Sequence, residues 1–327
     1  EKLAQVFKHV KQLKGPILVH CVTKKGKGYA QAEADPYTWH GPGKFDVASG
    51  KFLKSPVVTA PPPTNPAAFS KALLREAAAD PRIVGITAAM PEGTGLDAFR
   101  DRFPRRYFDV GLAEEHSVTF AAGLACEGYK PIVAVYSSFI QRAYDQVEHD
   151  VCLQKLPVIL CLDRAGLVGE DGPTHHGVFD YSLLRMIPGM TVMAPADENE
   201  LQHMLRTALR LDGPASIRYS RGVGVGVALD PEPKELPIGK GVRLKDGTDV
   251  TILAIGNRVH PALEASQILE DQGISCGVVN MRFVKPLDVD LLKECAAKTP
   301  RLVTVEDNVI QGGFGYAVLE ALPPRRA

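Results

Sequence analysis

The chain has 327 residues, of which 45% are hydrophobic and 23% are charged, and its 38 lysines and arginines balance 38 acidic side chains. This is ordinary globular composition, which excludes a disordered chain, a collagen and a disulfide-stapled mini-protein. A net charge of zero gives no electrostatic reason to expect a nucleic acid or an anionic membrane as a partner. The length allows about two domains.

The first 22 residues predict one helix followed by one strand. Apolar residues at helical spacing indicate a helix over 1–14 that ends at Gly15, and the apolar run 17–22 predicts a buried strand of a parallel sheet. One helix and one strand cannot bury a core alone. We therefore expect this segment to be the last unit of a domain whose earlier part is absent. The proline-rich stretch 55–66 then predicts an extended linker.

From Ala67 onward, strand patterns alternate with helix patterns. Strands are predicted over 83–86, 107–110, 131–136, 157–162, 191–194 and 215–219. Helices are predicted from 67 to about 78 and over 114–127, 139–154, 181–187 and 198–211. This alternation predicts an α/β fold, a mostly parallel sheet with helices on both faces.

A second linker, 229–237, precedes a shorter alternation of the same kind. Strands are predicted over 250–255, 276–279 and 302–305, and helices over 259–272 and 287–296. We therefore expect a second, smaller C-terminal α/β domain.

The cysteines and the hydropathy indicate the compartment. Six cysteines are present, none of them in a C-x-x-C pair, and most lie in apolar segments such as 158–162. We expect reduced, buried thiols and a cytoplasmic protein. No apolar run reaches the roughly 18 residues of a membrane-spanning helix, and no charged-then-apolar leader is found, so the sequence predicts no membrane segment.

Ligands of open parallel sheets bind beyond the carboxyl ends of the strands, and an acidic pair lies at such a place. Glu114 and Glu115 open an otherwise apolar helix directly after a predicted strand. They either complement the positive end of the helix or include one partly buried carboxyl whose raised pKa lets it exchange a proton. Adjacent acids cannot both face one site, so one of them should face solvent.

A second and a third feature follow the next two strands. Phe139 lies at a strand-to-helix turn, as a core residue or as a ring that stacks on a flat ligand. The loop 163–177 is long for a compact domain and holds an arginine, carboxylates and two adjacent histidines. It is either a polar surface loop or a functional one. Neighbouring histidines diverge, so we expect one of them to act as an acid, a base or a substrate ligand rather than in a metal pair.

A fourth feature is an arginine at another strand end. Arg221 is either a surface residue or a phosphate ligand, since the planar fork of a guanidinium suits a phosphate. If its strand neighbours that of Arg164, the two arginines would clamp one phosphate. The glycines of 222–226 precede a linker rather than a helix, so they make no dinucleotide fingerprint, and no zinc-type ligand spacing is present.

Taken together, the longest motifs resemble the 1-deoxy-D-xylulose-5-phosphate synthases, thiamine-diphosphate enzymes of the transketolase group. The resemblance covers almost the whole chain. The motifs that carry it are 23–29 with Trp39 and His40, 107–125, 136–146, 163–166, 171–177 and 218–222.

The resemblance implies three domains. Residues 1–56 would be the C-terminal remnant of a diphosphate-binding domain, 67–228 a transketolase-like pyrimidine-binding domain, and 237–327 a truncated C-terminal domain. The implied reaction condenses pyruvate with D-glyceraldehyde 3-phosphate, releases carbon dioxide and yields 1-deoxy-D-xylulose 5-phosphate, the first step of non-mevalonate isoprenoid synthesis. The implied assembly is a homodimer.

The resemblance also assigns residues to the cofactor, thiamine diphosphate. Glu114 matches the glutamate that hydrogen-bonds the aminopyrimidine ring. Phe139 would stack on that ring, and Arg142 would border the same pocket. Lys25 lies where the family contacts the cofactor diphosphate.

Other residues are assigned to the substrates by the same resemblance. Arg164 and Arg221 would hold the phosphate of the acceptor aldehyde, with Tyr136 and Asp171 close by. Two histidines would handle substrate oxygens and proton transfer; these are His40 and His175.

One departure from the family pattern is large. The family binds Mg²⁺ through a Gly-Asp-Gly motif and a later asparagine, and no such motif occurs in this sequence. We therefore expect no metal ligand in this chain, with the Mg²⁺ ligands in a missing N-terminal part, and no activity of this polypeptide alone.

Three alternatives stay open at this stage. The first is the beta subunit of a 2-oxo-acid dehydrogenase decarboxylase component, although such a subunit would not begin with the tail of a diphosphate domain. The second is transketolase. The third, from a different class, is an inactive dimerisation module, which would be expected to have lost Glu114.

Overall fold

The computed structural model describes residues 2–36, 38–53 and 61–322, and it divides into one unit that ends at residue 60 and another that begins at Pro61. Most of the predicted proline-rich linker lies outside the described residues. Each unit is described by itself below.

The first unit contains the helices α1 (Lys2–Val10) and α2 (Ala30–Ala34). The helices of the second unit are α3 (Asn65–Ala79), α4 (Pro91–Thr94), α5 (Asp97–Arg102), α6 (Glu114–Cys126), α7 (Tyr144–Gln146), α8 (Asp180–Arg185), α9 (Glu198–Arg210), α10 (Val259–Asp271), α11 (Val289–Lys298) and α12 (Phe314–Ala321). The strands are β1 (Ile83–Thr87), β2 (Tyr107–Asp109), β3 (Lys130–Tyr136), β4 (Ile159–Asp163), β5 (Thr191–Met193), β6 (Ala215–Arg218), β7 (Val242–Lys245), β8 (Val250–Ala254), β9 (Cys276–Asn280), β10 (Phe283–Lys285) and β11 (Leu302–Val305).

The strand predicted over 17–22 is wrong. Within the described part of the first unit these residues form no strand, and Leu18 and Val22 are 94% and 86% exposed. An apolar run becomes a buried strand only when a neighbouring strand pairs with its backbone. The described residues of this unit offer only one bridge, between Phe45 and Phe52. The predicted helix is present, but it ends at Val10.

A large sheet organises the second unit. Its strand order is β10-β5-β6-β4-β3-β1-β2, and every neighbouring pair is parallel except β10 with β5. Alternate residues of β3 enter two different cores. Ile132 and Ala134 pack with α3 and α9, whereas Val133 and Val135 pack with α6 on the opposite face. The predicted α/β class, with helices on both faces of a mostly parallel sheet, is confirmed.

A smaller sheet lies in the C-terminal part of this unit, in the order β11-β8-β9-β7, with β7 antiparallel to β9. Its strands carry a third, smaller core cluster together with α10. Strand β10 comes after the second linker in sequence, yet it pairs with β5 of the large sheet, with Phe283 opposite Met193. The sequence did not predict β7 or β10.

The helix predicted over 139–154 is irregular. It begins as a 3₁₀ turn over Ile140–Ala143, continues as α7, and widens into a π-turn over Val147–Cys152. π-turns are rare and occur frequently near functional sites. Here the 3₁₀ turn holds Arg142, and Phe139 lies directly before it. No helix in the described parts of the chain is long and apolar enough to cross a membrane.

Candidate active site

Neighbouring strands bring the predicted site residues of the second unit to one edge of the large sheet. Strands β3, β4 and β6 lie side by side, with Tyr136 in register with Asp163 and Leu162 in register with Arg218. Because these strands are parallel, their carboxyl ends open at the same edge. The motifs that follow them therefore meet there, although up to 85 residues separate them in sequence (Tyr136 and Arg221).

Glu114 is the buried member of the acidic pair. It is the first residue of α6 and only 1% exposed, whereas the adjacent Glu115 is exposed. Its Oε2 accepts a hydrogen bond from Arg142 Nη1 at 3.3 Å. The structure thus shows which of the two acids faces inward, and it brings Glu114 against the turn that follows Phe139.

Three ring side chains form a cluster next to this turn. The ring centroid of Phe139 lies 5.5 Å from that of Tyr136 and 5.2 Å from that of His175. The Tyr136 and His175 centroids are 6.3 Å apart. Phe139 is only partly buried and packs against the core rather than within it. Half-open rings in mutual contact can accept a further flat ring by stacking.

The loop over residues 163–177 is closed at its base. Gly166 and Gly177 exchange two backbone hydrogen bonds, of 2.8 and 2.9 Å. A Cβ atom at Gly177 would lie 2.4 Å from Ser137 Oγ and 2.5 Å from the Arg164 carbonyl oxygen, so only glycine fits there. This closed base holds Asp171 and His175, both on the loop, above the ends of the strands.

Asp171 contacts both predicted phosphate ligands. Its Oδ2 lies 3.2 Å from Arg164 Nε, and its Oδ1 lies 3.1 Å from Arg221 Nε. The two arginines follow the neighbouring strands β4 and β6 and share one carboxylate between them. The Arg221 side chain is 38% exposed, so this cluster is open to small anions on one side.

Arg164 also contacts the ring cluster. Its guanidinium carbon lies 3.9 Å from the centroid of the Tyr136 ring, a cation–π contact. Burial raises the pKa of Tyr136, and the charge of Arg164 acts in the opposite direction. The Tyr136 hydroxyl packs so closely against Gly93 that a Cβ atom there would lie 1.9 Å from it. The phenol is therefore neutral near pH 7 and fixed in place.

Sequence reasoning assigned no role to Asp163, which lies in the centre of this cluster. It is fully buried, and its carboxylate accepts hydrogen bonds from the Arg164 backbone N–H at 2.6 Å and from Arg164 Nη1 at 2.7 Å. Burial raises the pKa of Asp163 to about 7, while the charge of Arg164 acts against this rise. The available sequence signal was an aspartate that ends a fully apolar strand and precedes an arginine.

Arg218, the other arginine of the motif after β6, serves a different purpose. It is 3% exposed and pairs with Asp180 at 2.9 Å and with the Asp307 carboxylate. Its guanidinium also lies over the Tyr181 ring, 4.1 Å from the centroid. Burial opposes its charge, but the two carboxylates hold its pKa well above the ordinary value. Its donors are occupied, so it holds the fold together rather than facing a ligand.

Lys25 and His40 belong to the first unit, and both are exposed. Lys24 and Lys27 pair with Glu33 at 2.8 and 3.6 Å. Lys25 has no ion-pair partner among the described residues, which leaves its ammonium available to an anion. The roles assigned to Lys25 and His40 stay predictions.

Cavity size does not identify this site. A cavity of about 640 Å³ lies among α3, α4 and α5, and another of about 500 Å³ lies along β11 and α12. Neither is lined by a predicted site residue. In the residues that the structure describes, no group of three or more histidine, cysteine or acidic side chains is arranged to hold a metal ion.

Comparison with known proteins identifies the family. The model of the transketolase pyrimidine-binding domain matches residues 62–224, and that of the transketolase C-terminal domain matches 239–324. A solved structure described as a split gene transketolase, inactive beta4 tetramer, is 35% identical, covers 80% of this chain and 85% of its own, and has a TM-score of 0.72. The chain belongs to the transketolase family.

Within this family, the chain is similar to curated 1-deoxy-D-xylulose-5-phosphate synthases. It is 56% identical to synthase 1 of Geobacter sulfurreducens over 98% of this chain and 50% of that protein. It is 57% identical to the synthase of Heliobacterium modesticaldum, over 98% of this chain and 49% of that protein. The predicted resemblance is confirmed, and the chain spans about half the length of these relatives. The predicted domain boundaries and residue roles stay predictions.

Proposed function

We propose that this transketolase-family chain supplies the pyrimidine-binding side and the acceptor-phosphate site of a 1-deoxy-D-xylulose-5-phosphate synthase. Its substrates would be pyruvate and D-glyceraldehyde 3-phosphate. The observation that carries the proposal is the contact of Asp171 with both Arg164 and Arg221, at the strand edge that also holds Glu114 and Phe139. The names of the curated relatives support the same reaction.

The side chains present fit the pyrimidine ring of thiamine diphosphate. Glu114 offers a carboxylate shielded from water, and its partner Arg142 has a side chain that is 58% exposed and can move aside. Phe139 offers a partly exposed ring face. Glu114, Phe139 and Arg142 would hold the ring, and Lys25 would contact the diphosphate. When bound, the cofactor supplies the electron sink for decarboxylation of a 2-oxo acid.

Glu114 would hold a proton at a ring nitrogen. A carboxyl group in a water-poor site forms a stronger hydrogen bond to a ring N–H than one in solvent does, because the local dielectric constant is lower. The positive end of α6 also favours a carboxylate at this position. The 3.3 Å contact with Arg142 is long for a charged pair, so Glu114 can exchange it for a ligand.

The substrate residues would act at the other end of the site. Arg164 and Arg221 would bind the phosphate of the acceptor through charge-assisted hydrogen bonds, with Tyr136 and Asp171 orienting the guanidinium groups. His175 contacts both rings of the cluster and would move a proton to or from a substrate oxygen. His40 would handle a second substrate oxygen.

Among the described residues, no group of three or more histidine, cysteine or acidic side chains is arranged as a site for Mg²⁺, and the sequence has no Gly-Asp-Gly motif. We therefore assign it no step, and we propose that its ligands lie outside this segment and that this chain alone is inactive. A homodimer in the cytoplasm is proposed from the resemblance.

The decisive experiment joins this chain to the half of the Geobacter sulfurreducens synthase that it does not match. The fusion would be assayed with thiamine diphosphate, Mg²⁺, pyruvate and glyceraldehyde 3-phosphate, and products would be identified by mass spectrometry. We expect deoxyxylulose phosphate from the fusion and none from this chain alone or from a fusion carrying Glu114→Ala. The variant should fold like the parent.

Three results would overturn parts of this proposal. Full turnover by this chain alone would refute the need for a further part. Ketol transfer from a pentose phosphate without deoxyxylulose phosphate would favour transketolase. Full activity of the Glu114→Ala fusion would remove Glu114 from the mechanism.

A further inference from the structure

Asp163 contacts both the main chain and the guanidinium group of the next residue, Arg164. One of its carboxylate oxygens accepts the Arg164 backbone N–H at 2.6 Å, and the other accepts Arg164 Nη1 at 2.7 Å. The carboxylate is 0% exposed, so water does not compete for these hydrogen bonds. The main chain and the guanidinium of Arg164 are therefore fixed by the same group.

The backbone of Arg164 needs such a restraint. Its φ of 58° lies in the left-handed region, which residues other than glycine enter at a cost of about 1–2 kcal/mol. Strained residues of this kind persist only where the surrounding structure over-determines them, and they cluster at functional sites. The two hydrogen bonds that Arg164 donates to Asp163 offset this cost at the residue that turns the chain out of β4.

The left-handed turn directs the guanidinium into the cluster. From this conformation Arg164 Nη1 also donates to the Gly93 carbonyl oxygen at 2.9 Å, and Nε donates to Asp171 at 3.2 Å. The guanidinium plane lies against the Tyr136 ring. Each contact depends on the side chain leaving the backbone in this direction, so a relaxed backbone would move the guanidinium away from Asp171 and Arg221.

We infer that Asp163 is a positioning residue that holds Arg164 in its strained conformation, so that the guanidinium is presented to the phosphate of the acceptor substrate. This inference rests on the proposed function, because it takes the anion at this cluster to be the acceptor's phosphate. Both hydrogen bonds of the Asp163 carboxylate are with Arg164, so Asp163 acts through that residue rather than by touching the ligand.

The test measures anion binding by the full chain, since every residue of the cluster lies in it. Glycerol 3-phosphate and glycerol would be titrated into the wild-type protein at pH 8, and dissociation constants compared by calorimetry or NMR. We expect D163N to weaken glycerol 3-phosphate binding about tenfold and R164Q at least as much, with glycerol unchanged. The double variant should bind like R164Q alone, since Asp163 acts through Arg164.

The control is a second pair of adjacent residues, Asp101 and Arg100, joined at 3.0 Å but far more exposed. D101N breaks this pair and should leave binding unchanged. Thermal unfolding would establish that each variant folds. If D163N does not fold, D163E serves instead, because it keeps the charge but moves the carboxylate by one methylene, so that it no longer accepts from both the backbone N–H and Nη1 of Arg164, and it should weaken binding as D163N would.

Two patterns would overturn the inference alone. The first is wild-type binding by D163N or D163E together with loss in R164Q. The second is a further loss of binding, as large as that of D163N alone, when D163N is added to R164Q. Asp163 would then have a general structural role that does not depend on Arg164. If the wild-type protein does not prefer glycerol 3-phosphate to glycerol, the acceptor-phosphate site itself is refuted, and the role of Asp163 falls with it.

Discussion

Two arginine clusters at the same sheet edge, one around Arg218 and one around Arg164 and Arg221, have the same residue types but different roles. Arg218 lies between Asp180 and Asp307, is 3% exposed, and packs on the Tyr181 ring. Arg221, three residues later, shares Asp171 with Arg164 and keeps 38% of its side chain exposed. Both clusters join guanidinium groups to carboxylates and an aromatic ring. They differ in whether the guanidinium keeps donors for a ligand.

The ratio of cations to carboxylates and the exposure of the guanidinium groups to solvent distinguish the two clusters, whereas their residue types do not. The Arg218 cluster has one cation for two carboxylates and no exposed side, so an incoming anion would be repelled. Counting Asp163, the Arg164–Asp171–Arg221 cluster has two cations for two carboxylates, and it has one open side at which its guanidinium groups can reach an anion. The first cluster should therefore control stability and the second should control binding.

The largest expected effect is the loss of stability in R218L. Removing the guanidinium leaves the buried Asp180 without its cation and removes the ion-pair partner of Asp307, whose side chain is 9% exposed, and breaking a buried pair costs about 3–5 kcal/mol. The free energy of unfolding from urea titration would measure it, with R210L as the control because Arg210 is 59% exposed in its pair with Glu235. A loss below about 1 kcal/mol would mean that the two clusters do not differ as argued.

A smaller effect, on binding rather than stability, is expected for R221Q. Hydrogen bonds from charged donors contribute about 1.5–3 kcal/mol, so the KM for glyceraldehyde 3-phosphate in the active fusion should rise roughly ten- to hundredfold. Unphosphorylated glyceraldehyde should be used as before, and stability should change by less than about 1 kcal/mol because the pair with Asp171 is partly exposed. An equal loss with both acceptors would argue against a phosphate contact.

The sequence predicted the strands that carry the site but not the difference between these clusters. Strands such as β3 and β4 were predictable, because a strand that is buried on both faces appears in the sequence as a continuous run of apolar residues. Placing Arg164 beside Arg221 followed from the conditional argument that their strands are neighbours, which β4 and β6 are. The carboxylates that surround Arg218 come from distant segments, so its burial has no local signal.

The predictions that were wrong or missing have the same cause, because burial and strand pairing depend on partners that are distant in sequence. The run 17–22 has the composition of a buried strand, but burial depends on pairing partners, and the described residues of its unit provide none. Strand β10 was not predicted, and it joins the large sheet from beyond a linker that suggested a separate domain. Asp163 was read only as the start of a loop, because its partner Arg164 acts through a left-handed backbone that sequence does not reveal.

The smallest expected effect is a change in how the free energy of unfolding depends on pH, and it comes from Asp163. Burial raises the pKa of Asp163 from 3.8 to about 7, against the opposing charge of Arg164 and with a small contribution from Asp171. Because the pKa is raised on folding, the folded protein binds more protons than the unfolded chain between about pH 4 and 7. The contribution of Asp163 to the free energy of unfolding is therefore greatest below pH 4, and it is lost as the pH rises through 7.

Between pH 5.5 and 6.5 this group should reduce the free energy of unfolding by about 1.4 kcal/mol in the wild-type protein, and D163N should lack that decline. Urea titrations at the two pH values measure the difference, and D101N should keep the wild-type slope. Identical slopes in wild type and D163N would show that Asp163 is already ionised at pH 5.5. The Arg164–Asp171–Arg221 cluster would then have a charged Asp163 beside it across this pH range.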